Sequence, residues 1–198
     1  MPVSSRLLTL LSQRYHAIFK TPLYKTYLAC SVFAIVILMA FVTGSPYLLM
    51  KSLHQTPREF SGWFALNALV LMAASYGVSR LSQKFSPRQL LLMGSSFAFF
   101  GSASMLLLGI TQVWQFMLPM FVVSLGLACL MPASMSAVMQ LFSTHTASVS
   151  ALTGCMRYLA ATLVAFLVVV NVGEITMVLP ALMLCASLVI FYLLYRSR

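Results

Sequence analysis

Six stretches of this chain are almost continuously apolar, at about 27–50, 61–81, 89–110, 114–141, 148–172 and 177–195, and short polar connections separate them. A helix crosses the hydrocarbon core in about 20 residues at 1.5 Å of rise per residue, so each stretch is long enough to span a bilayer. None shows the period-two alternation of a strand with one wet face. The pattern predicts an all-α integral membrane fold, a bundle of six transmembrane helices.

The fifth run, Ser148 to Val172, carries a fixed charge, Arg157, roughly 10 to 13 Å inside one edge. Steps of three and four from Arg157 reach Ser150, Thr153, Gly154, Ala160, Ala161, Val164 and Ala165. The same steps from Leu152 reach Met156, Leu159, Leu163, Phe166, Leu167 and Val170. One face is small and polar, the other bulky. A charge in the membrane is costly unless something receives it, so the small face, with Arg157 on it, is expected to meet other helices or a wet cavity. The competing arrangement is a side chain that snorkels to the headgroups about 10 Å away.

Before the first run, Arg6, Arg14, Lys20 and Lys25 alternate with Leu8, Leu11, Tyr15, Ile18 and Phe19 at helical spacing. Residues 1–26 therefore read as a helix lying on the membrane surface. A cleaved signal peptide does not fit, because Ser12, Gln13 and Arg14 interrupt the apolar core and no small-residue cleavage site follows. Basic residues set the orientation: four precede the first span, Arg80, Lys84 and Arg88 join the second to the third, and Arg196 and Arg198 follow the sixth. Lys51 and Arg58 stand alone on the opposite side. By the positive-inside rule both termini, including the tail 196–198, are cytoplasmic. His145 then falls in a solvated cytoplasmic turn.

Thr43-Gly44-Ser45-Pro46 late in the first span and Met131-Pro132-Ala133-Ser134 in the fourth occupy inverted positions. Matched Pro or Gly breaks in two halves point to a substrate path in transporters built from inverted repeats, although either alone is an ordinary kink. Most other polar residues in the spans, such as Ser95 and Ser102, suit helix packing. Asn67 stands apart, because a buried amide needs several partners.

Hydrophobic residues make up 61% of the 198 positions and charged ones 7%, which excludes a water-soluble domain. The formal charge of +10 is spread between spans rather than pooled, so it marks loops and not a nucleic-acid surface. Cys30, Cys129, Cys155 and Cys185 lie in apolar runs without ligand spacing, and read as small core residues rather than disulfides or a metal site. The chain has no Asp, and its acids are Glu59 and Glu174 alone. Paired-carboxylate catalysis and carboxylate metal cages are thereby excluded, and no cofactor is expected.

Thr43-Gly44-Ser45-Pro46-Tyr47, then Phe64-Ala65-Leu66-Asn67, then the basic stretch Ser79 to Arg88 resemble the C-terminal half of Bcr/CflA-type drug efflux transporters. That branch of the major facilitator superfamily confers bicyclomycin and chloramphenicol resistance. The resemblance covers nearly the whole chain and includes an arginine in the eleventh span at Arg157. Its basic loop resembles a degenerate copy of the superfamily signature, with Gln83 where an Asp would stand and Ser86 where a Gly would stand. The resemblance implies two inverted three-helix repeats in a bacterial inner membrane. It also implies proton-driven export of small amphipathic drugs by two six-helix bundles rocking about a central site.

On that reading Arg157, Ser45, Tyr47 and Asn67 line the substrate path. Arg80, Lys84 and Arg88 form the gating loop, and Gly44, Pro46 and Pro132 break the helices. The chain supplies one bundle, and a partner N-terminal bundle or a second copy supplies the other. No group in its spans can titrate as a coupling acid, because Arg157 keeps its proton and both glutamates lie outside. Two alternatives stay open: an inactive remnant of such a transporter, and a substrate-capturing membrane subunit of an importer. An intramembrane enzyme would want His, Asp or a Ser/Lys pair inside the spans.

Overall fold

The computed structural model describes residues 22–141 and 146–196. Six helices follow in order: α1 (Pro22–Pro46, continued by a π-helical turn, Tyr47–Ser52), α2 (Pro57–Leu81), α3 (Pro87–Leu108), α4 (Val113–Gln140), α5 (Thr146–Val170) and α6 (Ile175–Arg196). A short 3-10 turn, Val172–Glu174, precedes α6. All six helices are long and apolar enough to cross a membrane, and no strand occurs among the described residues. The protein is an all-α, six-helix bundle.

The expected surface helix lies outside the described residues up to Thr21, and residues 22–26 belong to α1. The first membrane helix thus begins before position 27. Tyr24 explains the difference: its side chain is buried against Leu28, Val138 and Val149, and its hydroxyl lies 3.5 Å from that of Thr153 on α5. An aromatic ring enclosed by three helices holds this segment inside the bundle.

Two helices start by the same local device on opposite ends of the bundle. At Thr56-Pro57-Arg58-Glu59 the Thr56 hydroxyl accepts from the Glu59 amide at 3.3 Å, and the Glu59 carboxylate accepts from the Thr56 amide at 2.9 Å. Ser86-Pro87-Arg88-Gln89 repeats the exchange at 3.4 and 2.9 Å. Each is a capping box with proline in the first helical turn, where its missing N–H costs nothing. At the far end of α3, Gly109 with φ of 65° turns the chain away.

The principal helix contacts are α1 with α4, α5 and α6, α4 with α2 and α3, and α3 with α6. Exchanging α1, α2 and α3 for α4, α5 and α6 maps this set of pairs onto itself: α1–α5 becomes α4–α2, α1–α6 becomes α4–α3, and α1–α4 and α3–α6 are unchanged. The packing therefore carries the symmetry of two three-helix repeats, with α1 and α4 central and α2 and α5 each leaning on one main neighbour.

Small residues set how closely the inner helices approach. A Cβ placed on Gly94 would lie 2.8 Å from the Gly126 carbonyl oxygen, and one on Gly126 would lie 2.6 Å from that of Gly94, so α3 and α4 touch backbone to backbone. The equivalent seam of the other repeat, α1 against α6, has Gly44 under the tip of the Leu179 side chain, which would have to move to admit a Cβ. The four cysteines divide: Cys30 and Cys129 are buried, whereas Cys155 and Cys185 face outward and so are not the core residues expected. On α5 and α6 those positions lie on the sides turned away from the neighbouring helices, which apolar sequence alone cannot distinguish from a core face inside a membrane.

Candidate functional site

On α5 the two predicted faces separate as the side-chain sizes demand. Val149, Thr153, Ala161, Val164 and Val168 are buried toward the bundle, and Leu159, Leu163, Phe166, Leu167 and Val170 are exposed. Arg157 is half-buried on the border between them, in a cavity of about 220 Å³ lined also by Ile35 of α1, Met135 of α4, and Ser150, Gly154 and Tyr158 of α5. No Cβ contact exists within 4 Å of Gly154, so its missing side chain leaves this space open. Among the described residues nothing hydrogen-bonds to the guanidinium or pairs with it. Glu59 sits in the capping box of α2 and Glu174 in the turn before α6, at the bundle's opposite end.

The other residues named for the substrate path do not join Arg157. Ser45 is fully buried, and its hydroxyl, like that of Ser31, has no partner in the described structure. Tyr47 is half-buried, with the Lys51 ammonium 4.9 Å above its ring. Asn67 is 5% exposed and closes the α2–α4 contact, where its amide oxygen accepts from the Ser124 hydroxyl at 2.8 Å. It ties two helices together instead of facing open space. Nearby, Phe41 of α1 stacks on Phe64 of α2 at 5.4 Å and on Phe116 of α4 at 6.2 Å, joining three helices through their rings.

The helix breaks are unequal. After Pro46 the helix widens into the π turn, in which the Leu53 amide donates to the Leu48 carbonyl at 3.0 Å. Proline supplies no N–H, and an expanded turn re-pairs the carbonyls that it frees. Gly44 serves the close approach to α6. At Pro132, by contrast, α4 continues as α-helix to Gln140. Pro132 is instead exposed and lines a larger cavity.

That cavity, about 610 Å³, lies between the ends of α2 and α4 beside the basic loop, with Ser75, Ser79, Ser82, Ser136 and Gln140 as its polar lining. Ser75 donates to the Leu71 carbonyl at 2.7 Å, Ser82 to that of Ser79 at 2.8 Å, and Gln140 to the Ser136 hydroxyl at 3.2 Å. These groups are already engaged within their own helices. The serines at 75, 79 and 82 share one helical face, a spacing that the chain displays openly, yet sequence reasoning placed no cavity there.

The basic loop divides too. The Arg88 guanidinium donates to the Leu194 carbonyl at 2.9 Å, joining the start of α3 to the end of α6, where a cation also meets the negative end of the helix dipole. It acts as a strut between helices. Arg80 donates to the Tyr76 hydroxyl at 2.8 Å and lies over its ring on the exposed side of α2, and Lys84 is exposed.

Comparison with known proteins adds one finding. A family model described as the Major Facilitator Superfamily matches residues 3–165. No curated protein and no solved structure matches the chain.

Proposed function

This chain belongs to the Major Facilitator Superfamily, and it is a multi-pass membrane protein of a transporter family; from that premise we propose that its six helices form one of two bundles of a Bcr/CflA-type exporter of small amphipathic drugs. The second bundle supplies the proton-coupling acid. The observation that carries this reading is the position of Arg157, half-buried at the edge of the inward face of α5, in a small cavity where α5 meets the two central helices. The outward sides of α2 and α5, which have one main neighbour each, are where a second bundle docks. Both termini lie in the cytoplasm of a bacterial inner membrane, with Arg80 and Lys84 at that surface.

The test is export in cells that produce these six helices together with an N-terminal six-helix bundle, scored as resistance to a panel of amphipathic antibiotics. Arg157→Leu abolishes the resistance while membrane insertion, followed by a C-terminal tag, is unchanged. Undiminished resistance in Arg157→Leu would show that the side chain snorkels to the headgroups. Reconstituted without a second bundle, residues 1–198 accumulate no drug against an imposed proton gradient, because the interiors of their spans hold no carboxylate or histidine to carry the coupling proton; accumulation would refute that division of labour.

A further inference from the structure

We propose that the Arg157 cavity is a subsite for an anionic group of the cargo, so that the molecules carried include small amphipathic organic anions bearing a carboxylate, sulfonate or phosphate. The inference rests on the transport reading and adds the charge class of the substrate. Charge bookkeeping over the whole chain is the first support. There are twelve Lys and Arg, no Asp, and two glutamates, both at the end of the bundle away from this cavity. Arg157 stands on the twelfth residue of α5, about 16 Å along the helix, and Glu174 lies about 25 Å farther on. A guanidinium at that depth has a large desolvation cost and no acid of this chain to offset it.

The lining is the second support. Ser150 and Tyr158 bring hydroxyl donors, Ile35 and Met135 bring apolar wall, and no carboxylate or carboxamide side chain competes as acceptor. Arginine's planar donor fork matches a carboxylate or phosphate with two parallel bonds. Size is the third. A cavity of about 220 Å³ is below the range of about 300–1,000 Å³ that takes a whole drug, and it holds a charged head with part of a ring. The amphipathic remainder of the cargo then lies against the face that the second bundle closes. Lipid phosphate shares this headgroup chemistry and is separated in the test.

The test uses the full chain in an uncharged maltoside detergent, with Cys30, Cys129, Cys155 and Cys185 replaced by Ala and a single thiol introduced by Gly154→Cys, where space is open. Rates of modification by the anionic sulfonatoethyl and the cationic trimethylammonioethyl methanethiosulfonate are compared. The anionic reagent is favoured, and Arg157→Gln lowers its preference about tenfold, while Arg157→Lys retains most of it. Salicylate slows the modification and its neutral analogue salicylamide does not. An unreactive thiol, or a preference that Arg157→Gln leaves unchanged, overturns the proposal. The same measurements in phosphatidylglycerol nanodiscs decide the source: salicylate protection seen in detergent and lost in the bilayer assigns the subsite to lipid phosphate and overturns the assignment to cargo. Resistance to neutral antibiotics that depends on Arg157, without any anion preference at position 154, would remove the charge class and leave the transport reading standing.

Discussion

Helices α3 and α4 meet through the bare backbones of Gly94 and Gly126, whereas the glycines of α2 and α5, Gly62, Gly77 and Gly154, have nothing within 4 Å of where a side chain would begin. The same contrast runs through burial. In the most apolar window of α4, 67% is enclosed by the bundle, against 11% in α2 and 22% in α5. Lipid tails are as apolar as leucine, so helices in a membrane gain little by hiding hydrophobic surface from one another, and association follows from close fit. Helices that fit closely make the inner frame of α1, α3, α4 and α6. The two that do not turn bulky side chains outward, Leu69 and Met72 on α2 and Leu163 and Phe166 on α5, and Arg80 with Tyr76 stands on the same exposed side of α2.

The sharpest way to break this division is to fill the glycines. Gly126→Val forces a side chain onto the α3 backbone and costs about 3 kcal/mol, the upper end for overpacking. Gly77→Val changes stability by no more than about 0.5 kcal/mol. Thermal unfolding of the detergent-solubilised protein measures both, and equal losses would refute the inner and outer classes. Next in size is the strut. Arg88→Gln, which takes the guanidinium from the Leu194 carbonyl, costs about 2 kcal/mol. Arg80→Gln, whose hydrogen bond stays on the exposed side of α2, stays near zero.

Thr56→Ala and Ser86→Ala each cost about 1 kcal/mol, because the same capping box serves an outer and an inner helix. Hydrogen exchange of the first turn of α2 and of α3 reports the two separately; a much larger effect in either helix would show that tertiary packing, not the cap, holds that end. The smallest effect belongs to the buried tie of α2 to the frame. A double-mutant cycle of Asn67→Ala and Ser124→Ala gives a coupling of about 0.6 kcal/mol, the usual value for interhelical hydrogen bonds in bilayers. A coupling above about 2 kcal/mol would make α2 part of the frame.

Composition and run length alone determined six membrane-crossing helices, and side-chain size alone determined which side of α5 turns inward, because lipid tolerates only helices with satisfied backbones and crowding sorts small residues to the inside. The superfamily was legible in GSP, ALN and the basic loop. What tertiary structure decided is which of these polar residues meet. Asn67 went to Ser124, Arg88 to Leu194 and Gly44 to Leu179, all in helix seams, while Arg157 kept to its cavity beside Ile35 and Met135. Inside a membrane both faces of a helix are apolar, so hydrophobicity cannot tell neighbour from lipid. Only the crossing of helices distant in the chain assigns each polar group its partner.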